Sequence, residues 1–233
     1  MERRTGLNFK LLLSVSGVVL LLMFALSAWV WTQIPADQKI PVHWGLDGKV
    51  DGYGGKFEGL LLIPLISIGL VGLFTLLPWL EPRKLNLEKS QKPYTAIWIG
   101  LLILMLGTHS LIILSALGRS VDVSMAIQIL VGALFVLIGN YMGKMRSNFF
   151  MGIRTPWTLS SELSWHKTHR LGGWLFFIQG MVMMLFAVVG SSQFFVIVLL
   201  TWIVIMILTT FIYSYIVWKN DPNKQTTGRQ ISE

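Results

Sequence analysis

Long apolar runs separated by short polar segments dominate the chain. No Asp, Glu, Lys or Arg occurs within residues 11–36, 59–80, 93–118, 123–143 or 171–218. A helix needs about 20 mainly apolar residues to cross a hydrocarbon core roughly 30 Å thick. The first four runs each hold one such helix. The fifth holds two, joined around Gly190-Ser191-Ser192-Gln193. The pattern predicts an all-α membrane protein with six transmembrane helices, near 11–32, 59–79, 94–117, 123–143, 171–189 and 194–218. The first run exceeds the h-region of a signal peptide and ends in no small-x-small cleavage site, so it is read as a span. Trp29 and Trp31 anchor its end at an interface, and Pro64 should bend the second span.

Composition agrees with this reading. Of 233 residues, 54% are apolar and 13% charged, about half the charged share of a soluble domain. The absence of cysteine excludes disulfides, thiol catalysis and Cys-ligated zinc. The net charge of +8 reports topology rather than nucleic-acid binding. Fifteen of the nineteen Lys and Arg fall on one side of the six-span arrangement, the exceptions being Lys39, Lys49, Lys56 and Arg119. The positive-inside rule then places both termini in the cytoplasm, with membrane lipids as partners and no direct contact with nucleic acid.

At membrane depth the polar candidates are His109, Gln128, Asn140 and Gln179. Ion-coupled transporters usually carry ionisable groups there, so His109 reads better as a hydrogen-bonded packing group than as a proton relay. The segment "IPVHWGLDGKVDGYGGK", residues 40–56, faces outward. Its Asp47-Gly48 pair is a strong hairpin turn signal, and Asp51-Gly52 is a second turn candidate. Val42, Trp44 and Leu46 alternate with His43 and Gly45 as in a half-buried strand. A short extracytoplasmic β-hairpin-like lid is expected. His43, Asp47 and Asp51 carry metal-ligand chemistry, but turn chemistry alone explains Asp before Gly, so no metal is assigned.

The inner segment "GNYMGKMRSNFFMGIRTPWTLSSELSWHKTHRLGG", residues 139–173, is more specific. Thr155-Pro156 or Thr158 starts a helix. Glu162 sits in its first turns and Lys167, His169 and Arg170 near its end. A cytoplasmic amphipathic helix between spans four and five is therefore expected, broken or hinged at Gly172-Gly173. Glu162, His166 and His169 share one helical face. Zinc-protease spacing is absent, and an interfacial charged face explains them better than a metal site.

This inner run resembles the signature of the SdpI family of bacterial membrane proteins, through Gly139-Asn140, the residues 152–159 "GIRTPWTL", and the residues 165–173 "WHKTHRLGG". The outer segment is similar to the small two-span domain that often precedes the SdpI core. The resemblance implies a two-span domain at 1–80 with its outer loop at 33–58, a cytoplasmic linker at 81–93, a four-span core at 94–218 and a cytoplasmic tail at 219–233. It also implies a multi-pass protein of the bacterial plasma membrane that gives immunity to a secreted peptide toxin. The family's namesake further acts as a receptor that holds an ArsR-like cytoplasmic repressor at the membrane. On that reading His43, Trp44, Asp47, Asp51 and Tyr53 are toxin-contact candidates. Asn140, Arg154, Thr155, Pro156, Trp157, Glu162, Trp165, His169 and Arg170 are candidates for the signalling loop. No catalytic residue, metal or cofactor is expected. A small-molecule or lipid transporter is the runner-up, and an intramembrane enzyme comes third.

Overall fold

A computed structural model describes residues 8–45, 48–189 and 192–224, the side chains of 192–195 excepted. Six long apolar helices lie among the described residues. They are α1 (Phe9–Gln33), α2 (Lys56–Leu80), α4 (Gln91–Ala116), α5 (Val123–Met142), α7 (Glu162–Val189) and α8 (Ser192–Lys219). Two short helices, α3 (Lys84–Lys89) and α6 (Pro156–Ser160), lie between them, and an antiparallel hairpin of β1 (Ile40–Trp44) and β2 (Val50–Gly54) joins α1 to α2. α1, α2 and α4 pack on one another, α4 on α5, α5 on α7 and α7 on α8.

The prolines of α2 dictate where its neighbours place polar groups. Proline lacks an N–H, so the carbonyl four residues earlier loses its helical partner, at a high cost inside a membrane. Pro64 frees the Leu60 carbonyl, and Ser27 of α1 donates to it at 2.6 Å. His109 of α4 completes the cluster, its Nε2 3.1 Å from both Ser27 Oγ and the Met23 carbonyl. Pro78 frees the Phe74 carbonyl, which accepts from the Tyr94 hydroxyl of α4. The expected packing role of His109 is thus a specific one. The ring supports the hydroxyl that repairs a proline-broken helix.

α5 and α7 approach through glycine. Gly139 meets Gly173 and Gly132 meets Gly180, two antiparallel pairs seven residues apart on each helix. A Cβ on Gly139 would lie 2.6 Å from the Gly173 carbonyl oxygen and 2.6 Å from the Phe177 nitrogen. Small residues let membrane helices touch backbone to backbone. The hinge expected at Gly172-Gly173 is absent: α7 runs through both glycines, which are buried packing surface. The expected amphipathic helix is also divided. Only α6 stands apart, with Thr155 as its cap and Pro156 in its first turn. Ser161 is extended, and its hydroxyl accepts the Ser164 N–H at 2.9 Å, so residues 162–170 are the first turns of α7.

Candidate functional site

At one end of the bundle the hairpin rests on the ends of α1, α2 and α4. Ile40 is fully buried with Val30, Ile34, Leu60 and Ile113, and Trp44 packs against this cluster half-buried. Gln38 donates to the Ala116 carbonyl at 2.6 Å and Lys56 to the Trp31 carbonyl at 2.7 Å, tying the loop down at both ends. His43 and Asp51 meet across the strands, Nδ1 to Oδ1 at 2.5 Å, with both side chains more than half exposed. Tyr53 is exposed nearby. Asp47 lies outside the described residues; Gly48 beside it has φ +77° and donates to the Gly45 carbonyl at 2.9 Å. The second expected turn is corrected. Asp51-Gly52 sits inside β2, where Gly52 pairs with His43 and a Cβ would strike the His43 side chain.

At the other end, the segment after α5 is folded tightly against the starts and ends of four helices. Glu81, buried at the end of α2, accepts the Arg83 N–H at 2.8 Å and the Phe149 N–H at 3.0 Å. Arg83 donates to Ser147 and, at 2.9 Å, to the Leu159 carbonyl, and its guanidinium lies over the Phe149 ring. Buried Asn148 accepts from the Phe150 and Met151 N–H groups at 3.0 and 2.6 Å. Backbone groups of an irregular segment must be satisfied when buried, and these side chains do so. Gly152, at φ +99°, brings the chain over His169, where any Cβ would collide with the ring.

His169 holds this wrap in place. Its Nε2 accepts the Ile153 N–H at 2.9 Å, which leaves the proton on Nδ1 to donate to the Trp165 carbonyl at 2.8 Å. The ring also stacks on Trp165 at 3.9 Å, and Trp165 donates from its indole to the Met145 carbonyl at 2.8 Å. His169 is therefore turned inward, away from the exposed Glu162 and the half-exposed His166 that share its helical face, whose Oε2 and Nε2 are 3.6 Å apart. Arg146 also reaches His166, 3.2 Å from Nε2. Both nitrogens of His169 are committed to the backbone.

α8 is fastened to the same segment. Thr155 donates to Ser214 at 3.0 Å, Ser164 to the Ser214 carbonyl at 2.8 Å, and Trp157 packs edge-on against Phe211 and Tyr215. Ser161 donates to Asp221 at 2.5 Å. That hydroxyl, followed by the Asn223 N–H, holds the Asp221 carboxyl below its usual range. A polar cleft of about 440 Å³, lined by Arg83, Asn86, Ser161, Glu162 and Asp221 among others, opens here.

The structure splits the sequence candidates for this loop. Thr155, Trp165 and His169 are buried and bind the fold together. Arg154, Pro156, Glu162 and Arg170 are exposed, as is Asn140 at the end of α5, while Trp157 is partly covered by α8. Glu81, Arg83, Asn148 and Asp221 were missed. Each lies just beyond a span or in the inner loop, where sequence reading treats a polar residue as an ordinary topological charge.

Residues 144–215 match the SdpI/YfhL protein family. The match covers the segment between α5 and α7, α7 itself and most of α8. Residues 18–68 match a domain of unknown function, DUF1648, which spans the hairpin and parts of α1 and α2. The chain is also 22% identical over 208 residues to the Immunity protein SdpI of Bacillus subtilis (strain 168), covering 88% of this chain and 95% of that protein. No solved structure matches the chain. With six apolar helices and this likeness, the chain is a multi-pass protein of the bacterial plasma membrane.

Proposed function

We propose that this protein gives its cell immunity to a secreted, membrane-active peptide. The observation that carries the reading is the likeness to the Immunity protein SdpI across nearly the full length of both chains. The bias of Lys and Arg supports an orientation with the hairpin outside and the segment between α5 and α7 in the cytoplasm. His43, Asp51 and Tyr53 then face the arriving peptide on a loop that is fixed to three helices, with the half-buried Trp44 packed beneath. The reading contains no catalytic step.

A finer function is part of the same proposal. The cytoplasmic face, with Glu162 at the polar cleft and Arg170 exposed further along α7, docks an ArsR-like repressor when the peptide is bound. Peptide binding outside acts on this face only if it favours one of two bundle arrangements, and the coupling is then reciprocal. α2, which directly follows the hairpin, is capped by Glu81, and Glu81 bonds the Phe149 N–H of the segment after α5, which supports a mechanical link between the two ends.

Survival of a sensitive host challenged with a panel of membrane-active secreted bacterial peptides, run beside a repressor-controlled reporter, tests both parts. Wild type should protect against at least one peptide. Asp51→Ala or Tyr53→Ala should weaken protection and reporter output together, because the input is lost. Arg170→Ala should abolish the reporter response while keeping most of the protection. Protection against no peptide at normal membrane levels would refute the immunity reading. Protection and reporter output failing in step in every inner-face variant would refute the separate docking surface.

A further inference from the structure

α2 and α5 both lean on α4, and between them lies a crevice of about 390 Å³. Its walls are Leu73 and Leu77 of α2, Ile97 of α4, Ile138 of α5 and Phe176 of α7. Residues 150–153 of the inner segment close one end as a roof, and three methionines between 142 and 151 complete the lining. None of the lining side chains is charged. The roof is held rigidly. Phe149 donates its N–H to Glu81, Arg83 lies over the Phe149 ring, and the Ile153 N–H donates to His169. The crevice is thus walled by four helices and stopped at one end, unlike the open side of a transmembrane helix.

Such a shape suits a hydrocarbon chain, since methionine adapts to irregular apolar occupants. Charge on the roof selects the headgroup. Residues 144–170 expose Lys144, Arg146, Arg154, Lys167 and Arg170, against a single acid, Glu162, which lies 3.6 Å from His166. Cations at a membrane surface attract anionic lipid by about 1 kcal/mol each. Lys144 and Arg146 flank the lining residue Met145, but Lys144 lies over the Tyr141 ring and Arg146 reaches His166, whereas the Arg154 side chain reaches the backbone beside the roof. Arg154 adjoins Ile153 and donates from Nη1 to the Phe149 carbonyl at 2.6 Å, next to the lining residue Phe150. That bond uses one of its five N–H donors and fixes the fork at the roof edge.

We propose that this crevice holds one acyl chain of an anionic phospholipid, whose phosphate is taken by Arg154. The bound lipid would bridge α2 and the α5–α7 pair under the roof. The site is independent of the immunity reading and involves neither the hairpin nor the polar cleft.

Native mass spectrometry of the purified full chain, reconstituted with equimolar phosphatidylglycerol and phosphatidylcholine, tests the proposal. Wild type should retain one phosphatidylglycerol after other lipids are stripped, and retain it at least several-fold over phosphatidylcholine. Leu73→Trp fills the crevice from a half-exposed wall and should abolish the adduct. Arg154→Gln should lower retention of phosphatidylglycerol about fivefold. No retained lipid, equal retention of the two lipids, or wild-type retention in both variants would overturn the proposal. Retention lost in Leu73→Trp but unchanged in Arg154→Gln would overturn the headgroup assignment. If Leu73→Trp fails to fold by its melting curve, Arg154→Gln, on the exposed surface, decides alone. Competition of a peptide for the retained mass in place of lipid would also overturn it.

Discussion

Gly139→Ala is an informative perturbation because two well-understood effects oppose each other there. In an exposed helix the change should stabilise by about 1 kcal/mol, since glycine loses more backbone entropy than alanine. At Gly139 the added methyl would sit 2.6 Å from the Gly173 oxygen and the Phe177 nitrogen, and 3.0 Å from the Phe177 Cα. All three are backbone atoms that no rotamer change can move. Reaching an ordinary 3.4 Å contact requires α5 and α7 to part by up to about 0.8 Å. A gap of 0.5–1 Å forfeits roughly a quarter to a half of each affected dispersion contact. Overpacking of this kind costs about 1–3 kcal/mol, and an unyielding backbone on both sides puts the cost near the upper end. The net expectation is a loss of about 1–2 kcal/mol, or roughly 2–8 °C in Tm at this chain length. Gly17→Ala and Gly69→Ala are internal controls, because nothing lies within 4 Å of a Cβ at either position. They should leave the melting temperature unchanged or raise it. Thermal melts of the four proteins in one detergent provide the assay. Gly139→Ala melting at or above wild type would refute the close-contact argument for the α5–α7 seam.

Three further outcomes are expected. Ser27→Ala leaves the Leu60 carbonyl unpartnered and should cost about 1–3 kcal/mol; adding Pro64→Ala restores an N–H to that carbonyl, so the double variant should recover part of the loss, and a purely additive double-mutant cycle would contradict the repair. The Ser161 hydroxyl and the Asn223 N–H depress the Asp221 pKa, so the carboxylate stabilises the fold above the ordinary carboxylate range and the contribution disappears as pH falls through the depressed value. Melting curves from pH 7 down to pH 3 should therefore show a shallower acid loss in Asp221→Asn than in wild type, and parallel curves would remove Asp221 from the account. With no native cysteine to interfere, Lys49→Cys and Arg119→Cys should react with an impermeant thiol reagent in intact cells while Lys89→Cys and Lys224→Cys should not; the reverse pattern would invert the orientation and exchange the roles of the two ends.

The sequence by itself determined the number of spans, because covering backbone in hydrocarbon demands long uncharged runs and nothing else in this chain explains them. It determined the hairpin as well, through alternation and turn residues, since both are local signals. The Thr155-Pro156 helix start was legible for the same reason. Only the tertiary structure decided what the glycines, prolines and buried polar groups are for. Gly172-Gly173 reads locally as a break, yet α5 supplies a flat partner and turns Gly173 into packing surface. His169 shares a helical face with Glu162 and His166, but a wrapped segment more than ten residues earlier in the chain buries it and takes its Nε2, while Nδ1 turns to the Trp165 carbonyl of its own helix. Pro64 announces a freed carbonyl, and no local rule says that Ser27 and His109 will answer it. Glu81, Arg83 and Asp221 look like span-end charges until residues distant in sequence arrive as their partners. Periodicity is written along the chain, whereas satisfaction of a buried group depends on which distant residue reaches it, and packing alone settles that.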